Sequence, residues 1–382
     1  MFDRRQMLFT AAAASAAALT PRLAWARAAT ERRLVFLIQR GAADGLGTLA
    51  PLGDPAYAGL RGDLAADLAG GTKLDAMFTL HPALKGIAGL YAQKQALFAH
   101  AVASPYRDRS HFDGQNVLET GGALPYDRPD GWMNRLLPLL GAGQAKALAI
   151  SPTIPAALRG NAQVASYAPS ALPQASNDFL DRVAMLYGSD PQFHALWQQA
   201  VQTRDMAESG GAEGGRGAAA AGKLIASLMT GPEGARVVMA ESTGWDTHAG
   251  QKARLNNQLT GLDAMLIALR DGLGTAWADT LVIVATEFGR TARANGTGGT
   301  DHGTGSLAML LGGTVAGGRI LADWPGLSPS QLYEGRDLKP TLSLDALMAG
   351  AIAAHFSLDP AQSAPRLFPG GGGRPMEGLI RT

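Results

Sequence analysis

Short apolar runs recur along the chain, each ending in glycine or polar residues. Leu34-Val-Phe-Leu-Ile leads straight into Arg40-Gly-Ala-Ala-Asp-Gly. Ala96-Leu-Phe-Ala-His-Ala-Val-Ala, Ala147-Leu-Ala-Ile-Ser, Arg236-Val-Val-Met-Ala, Thr280-Leu-Val-Ile-Val-Ala and Leu307-Ala-Met-Leu-Leu follow. Runs this short, with no polar alternation, predict strands buried on both faces. Between them lie helical patterns, clearest where Leu255, Leu259, Leu262, Leu266, Leu269 and Leu273 form one apolar stripe. Strand and helix in alternation predict an α/β fold, a mostly parallel sheet flanked by helices on both faces. Ligands of such sheets bind at the carboxyl ends of the strands. The strands beginning near Leu34, Arg236 and Thr280 are therefore expected to open on one cleft, with Asp246 and His248 on its wall.

The first 26 residues break this pattern. Arg4-Arg5 precedes an Ala-rich run from Thr10 to Thr20, and Ala24-Trp25-Ala26 offers small residues at the positions a signal peptidase reads. Charged start, apolar middle and A-x-A end predict a signal peptide, and the paired arginines point to the twin-arginine route. A periplasmic or secreted protein is the expectation. The run is too short to span a bilayer, and no later stretch predicts a membrane anchor. Removing residues 1–26 takes away three arginines and one aspartate, leaving a formal net charge of about −1. A near-neutral surface argues against nucleic acid as a partner. The chain has no cysteine, so its core must hold it without disulfides. Residues 27–382 are read as one domain, interrupted by a flexible Gly/Ala-rich segment at 208–222. The glycines from Gly370 to Gly373 read as part of a loose tail.

Three of the seven histidines sit beside aspartates near predicted strand ends: His111 in Ser110-His-Phe-Asp, His248 in Trp245-Asp-Thr-His and His302 in Thr300-Asp-His-Gly. Asp246 and His248 are two apart, so on an extended segment both face one way and suit a cation such as zinc or manganese. Asp301 and His302 point apart unless a turn reorients them, which the neighbouring glycines make easy. Glu287 and Arg290 follow the strongest strand. Plainer readings exist for each: a surface turn for Asp246 and His248, a loop ion pair for Glu287 and Arg290, a helix N-terminus for Ser110. His81, His100, His194 and His355 read as structural. No dinucleotide fingerprint, P-loop or Gly-x-Ser-x-Gly elbow is present.

Five motifs then appear in order: Arg40-Gly-Ala-Ala-Asp-Gly-Leu, Ser110-His-Phe-Asp, Gly244-Trp-Asp-Thr-His, Thr286-Glu-Phe-Gly-Arg-Thr and Gly299-Thr-Asp-His-Gly. With the twin-arginine start, the chain resembles the bacterial domain-of-unknown-function family 1501 over essentially its whole mature length. That family is grouped with the alkaline phosphatase and sulfatase superfamily, and Asp337-Leu-Lys-Pro-Thr is similar to a stretch near the end of sulfatase-type domains. The resemblance implies an alkaline phosphatase/sulfatase-like sheet binding divalent metals, typically two, at its carboxyl edge and cleaving phosphate or sulfate esters. It implies metal ligands among Asp44, Asp246, His248, Glu287, Asp301 and His302. Asp44 would replace the aspartate that ends the superfamily's first strand, where this chain has Gln39-Arg40. The nucleophile falls on Ser110 or His111, and Arg40 or Arg290 would clamp the anion. The partner would be an anionic ester. The alternative is a sulfatase-like fold without catalysis, acting as a binding or assembly partner of another exported protein.

Overall fold

The structure, a computed structural model, describes residues 31–68, 70–141, 146–168, 183–187, 190–198, 200, 217–231 and 234–381. The predicted signal at 1–26 lies outside them. Among the described residues a nine-stranded sheet organises the chain. Its strands are β1 (Arg33–Gln39), β2 (Ala96–Ala103), β3 (Ala147–Ile150), β4 (Ala165–Tyr167), β5 (Val237–Ser242), β6 (Thr280–Ala285), β7 (Ser306–Leu311), β8 (Arg319–Leu321) and β9 (Leu342–Ser343). They lie in the order β8-β2-β7-β6-β1-β5-β3-β4, with β9 also pairing β2. All run parallel except β7, which is antiparallel to both β2 and β6. The mostly parallel α/β sheet predicted from the apolar runs is the one observed.

Each face of the sheet carries its own core. On β1, Leu34, Phe36 and Ile38 point into one, with Trp132, Leu118 and the buried side chains of α5 (Leu344–Phe356). Val35 and Leu37 point into the other. There they meet α1 (Lys85–Ala92), α3 (Ala218–Met229) and α4 (Gln251–Leu273). All six leucines of the α4 stripe are buried. Burial on both faces is why β1 is apolar at every position rather than at alternate ones.

Two sequence expectations need correction. The segment 208–222 was expected to be flexible throughout. Residues 208–216 lie outside the described ones, but Ala218–Gly222 is the opening of α3. Alanine is the strongest helix former, and small residues let α3 and α4 approach closely: a Cβ on Gly222 would lie 2.1 Å from the Met265 carbonyl oxygen. The tail after Gly370 is docked rather than loose, with Leu379 and Ile380 buried and Ile380 bridging Val315.

Three buried titratable groups shape the pH dependence of stability. His100 receives the Ala101 amide on Nδ1 and faces the Leu49 carbonyl with Nε2; burial lowers its pKa to about 4. His355 lies between Thr314 and the Arg33 carbonyl, and burial lowers it to about 3. Both are structural, as expected. The unfolded chain takes up these two protons first, so their contribution to stability is lost as pH falls below about 6.5. Burial raises Asp345 to about 7, which works in the opposite direction. Its folded form keeps a proton that the unfolded form releases, so the contribution of Asp345 to stability falls by on the order of 1 kcal/mol per unit as pH rises from about 4 to 7, against the rise from the two histidines. Asp345→Asn removes only this opposing effect. Urea midpoints at pH 5 and 6.5 should therefore rise more steeply with pH in the variant than in the wild type. Parallel profiles would mean that Asp345 ionises normally.

Candidate metal centre

Strands β6, β1 and β5 are adjacent and in register, Leu34 lying between Leu281 and Val237. Their carboxyl ends therefore reach one edge together. Where β1 ends, Gly41 has φ 116°, and a Cβ there would lie 2.6 Å from the Asp246 backbone nitrogen; only glycine lets the segments carrying Arg40 and Asp246 pass so closely. Buried Trp245 anchors Asp246 beyond β5. The segment after β6 leaves and returns at the same edge, because β7 runs the other way. Gly289 donates to the Thr304 carbonyl at 2.9 Å and Gly303 donates back to Gly289 at 2.8 Å, which sets His302 opposite Arg290. The parallel strand β2 brings in α2 (His111–Thr120), with His111 at its first position.

His111, Asp246 and His302 form a candidate metal site, their ligand atoms all lying within 4.8 Å of one another. His302 Nε2 is 2.9 Å from His111 Nε2, 3.0 Å from His248 Nε2 and 3.3 Å from Asp246 Oδ1. His248 Nε2 is also 3.0 Å from Asp246 Oδ1, and His111 Nε2 is 3.5 Å from Asp246 Oδ2. The far side of each ring fixes its tautomer. His111 Nδ1 faces Glu287 Oε1 at 2.8 Å, His248 Nδ1 faces Asp301 Oδ1 at 3.0 Å, and His302 Nδ1 faces the Arg109 carbonyl at 3.0 Å. All three partners accept, so each Nδ1 carries the hydrogen and each neutral ring turns an Nε2 lone pair inward. Three lone pairs and a carboxylate then converge with no donor among them. A proton can bridge one pair of these atoms, whereas His111, His302 and Asp246 lie close enough together to suit one divalent cation, with His248 beside them.

Electrostatics agree with this arrangement. Burial opposes charge on Asp246, yet the Arg290 guanidinium at 2.5 Å, with His248 and His111 nearby, holds its carboxyl below the usual carboxylate range. Burial also opposes charge on Glu287, but His111, Gln115 and the Gly41 amide hydrogen-bond to it and keep it ionised. Glu287 in turn raises the His111 pKa. Burial and the neighbouring His111 lower that of His302. Asn295 and His248 hold Asp301 ionised.

Several expected roles change. Asp44 is buried and accepts from both guanidinium nitrogens of Arg61, at 2.5 and 3.0 Å, and from Gln251 at 2.5 Å. It closes a structural ion pair and does not face the cluster as a ligand. Glu287 and Asp301 hold ligand-bearing rings from behind, as the carboxylates of carboxylate–histidine–metal triads do, and Glu287 forms no ion pair with Arg290. Arg290 is buried, tied to Asp246 and to the hydroxyl and carbonyl of Thr300. Arg40 is held by Glu241, Glu119 and Gln115. Neither guanidinium is free to clamp an anion. Ser110 is the N-cap of α2, but its side chain makes no capping bond. His111 joins the cluster through Nε2.

Three participants were not foreseen. Gln115 lies one helical turn after His111, and both reach Glu287 Oε1; that i,i+4 spacing was the available signal. Asn295 ties the His248 carbonyl to Asp301. Arg336, whose side chain is 42% exposed, donates to the His302 carbonyl. Nothing local in the sequence marked either.

Glu287→Gln keeps the size of the side chain but removes the charge that makes His111 a strong donor. Metal affinity should fall roughly ten- to a hundredfold, as measured by competition with a chelating dye. Unchanged affinity would place Glu287 outside the support of the site.

A family model described as "Protein of unknown function (DUF1501)" matches residues 93–367, a span that holds every residue of the cluster. No curated protein matches the sequence. Among solved structures, the C-terminal periplasmic domain of EptC from Escherichia coli, in complex with zinc, is similar with a TM-score of 0.37 and 9% identity, over 75% of this chain and 74% of that one. The phosphonate monoester hydrolase of Agrobacterium radiobacter is similar with a TM-score of 0.33 and 11% identity, over 89% of this chain and 78% of that one. Both likenesses are distant, and the zinc and the phosphonate chemistry belong to those two proteins.

Proposed function

Since the chain belongs to the DUF1501 family, which is described without an activity, we propose from the cluster itself that it is a metal-dependent hydrolase of phosphate or sulfate esters. The convergence of three Nε2 lone pairs on one carboxylate carries this reading. His111, His248, His302 and Asp246 would hold one divalent ion, zinc or manganese by donor type, and the ion would polarise an ester oxygen. Glu287, Asp301 and the Arg109 carbonyl keep the three rings aimed inward. Arg290 donates to Asp246 Oδ1 and keeps the carboxylate ionised. The Arg336 guanidinium at the rim takes the anion-binding role that Arg40 and Arg290 cannot fill. Ser110 supplies the nucleophile: its oxygen bonds to phosphorus or sulfur, the ester bond breaks, and the alcohol departs with the serine proton. Water then frees the serine and releases phosphate or sulfate.

One observation favours a second reading. Both arginines expected to clamp the anion are locked in ion pairs, so the centre would serve structure in an exported binding or assembly partner. Turnover of phosphate and sulfate monoesters by zinc- or manganese-loaded protein separates the two. Hydrolysis that Ser110→Ala abolishes supports the enzyme. Full metal loading with no turnover supports the partner.

Export through the twin-arginine route is part of the proposal and rests on Arg4-Arg5. No helix among the described residues is long and apolar enough to cross a membrane. Replacing both arginines by lysine should leave the protein in the cytoplasm, whereas normal periplasmic amounts would overturn the route.

A further inference from the structure

Asp337 opens the Asp337-Leu-Lys-Pro-Thr stretch and is wholly buried. Its backbone is strapped to the segment that carries His302. Asp337 bridges Thr291, the Arg336 carbonyl accepts from the Ala292 amide at 3.1 Å, and the Leu338 carbonyl accepts from the Gly305 amide and the Thr304 hydroxyl, both at 3.0 Å. Residues 336–338 thus tie together both limbs of the connection between β6 and β7. The Asp337 carboxylate gathers two arginines. Arg109 donates Nε to Oδ2 at 2.9 Å and brings Nη2 within 2.8 Å of the same oxygen, while Arg336 Nε lies 3.6 Å from Oδ1. Both arginines hold His302: the Arg109 carbonyl accepts from His302 Nδ1 at 3.0 Å, and Arg336 donates to the His302 carbonyl. Arg109 has φ 62°, a left-handed conformation that a residue with a Cβ seldom keeps unless its surroundings hold it. It also lies two residues before His111, so the backbone it fixes leads into one candidate ligand while its carbonyl aims another. A guanidinium fork on a buried carboxylate is a directional, charge-assisted anchor for such a backbone.

We propose that Asp337 is a positioning residue of the metal centre: through Arg109 and Arg336 it fixes His302, and through Arg109 it sets how His302 stands to His111. It acts on the ligands without being one. This rests on the metal-centre reading above and adds the residue that keeps two of its rings in place. Asp337→Asn preserves the shape of the side chain and removes the charge that draws both arginines in. In the full chain, zinc affinity measured by dye competition should fall about tenfold, the lower end of the effect of groups that orient a metal's ligands. The visible absorption bands of the cobalt(II)-loaded protein should shift as well, because the His302 ring turns and the coordination geometry changes. Arg109→Lys keeps the backbone carbonyl, but its single nitrogen cannot replace the fork. It should move both readouts in the same direction, and it decides the matter if Asp337→Asn fails to fold. Wild-type affinity and unshifted cobalt bands in a folded variant would overturn the positioning role and leave the centre standing. Weaker binding with unshifted bands would do the same, since a loss of fold stability lowers affinity without turning a ring. Wild-type protein that takes up neither zinc nor cobalt would overturn the metal reading, and this role with it.

Discussion

His302→Ala is expected to release the metal. Its Nε2 is the atom closest to all three other donors, at 2.9, 3.0 and 3.3 Å, so its loss opens the centre rather than trimming one corner. Affinity should fall by at least about a thousandfold, roughly 4 kcal/mol, and ester turnover should vanish with it. The metal-free variant should unfold within about 1 kcal/mol of the metal-free wild type, since this side chain is partly exposed and contributes little apolar burial. Metal content by mass spectrometry and urea unfolding of both apo forms measure the two effects separately. A variant that keeps its metal would show that the histidines bridge through protons instead.

Asp44→Ala should have the opposite profile. Asp44 and Arg61 are each 1% exposed and bonded through two contacts. Removing the carboxylate leaves a buried guanidinium uncompensated, a change of about 3–5 kcal/mol. Arg61 could not then be satisfied by Gln251, itself a donor to Asp44. The folded fraction of the variant should nonetheless bind as much metal as the wild type, because Asp44 does not face the cluster. Pairing the change with Arg61→Met should recover part of the loss, since no unpaired charge then remains. Loss of metal from folded Asp44→Ala would restore Asp44 to the ligand set.

The contrast between these two residues shows what the sequence could and could not carry. Buried strands declare themselves locally, because a strand covered on both faces must be apolar at every position. Leu34 to Ile38 and Thr280 to Ala285 could therefore be placed at the sheet centre, and the residues after them at its functional edge. His111, Asp246, His248 and His302 followed from that placement. What a carboxylate does there depends on what reaches it from elsewhere in the chain. Asp44 meets Arg61 seventeen residues on, and Glu287 meets His111 across 176 residues. Neither partnership leaves a local pattern. The reversed direction of β7 was equally hidden, since an apolar run reads the same both ways, yet it is this reversal that returns Asp301 and His302 to the cluster's edge. Alanine misled in a different way: Ala218 to Gly222 looked like filler next to glycines, but small size is what close packing of α3 on α4 requires.

Metal stoichiometry tests the central claim most directly. Protein purified without chelators, or refilled with zinc or manganese and then desalted, should hold one divalent ion per folded chain, and adding His248→Ala to His302→Ala should abolish any that remains. Wild-type protein that binds neither ion after refilling, while correctly folded, would contradict a metal centre built from these residues.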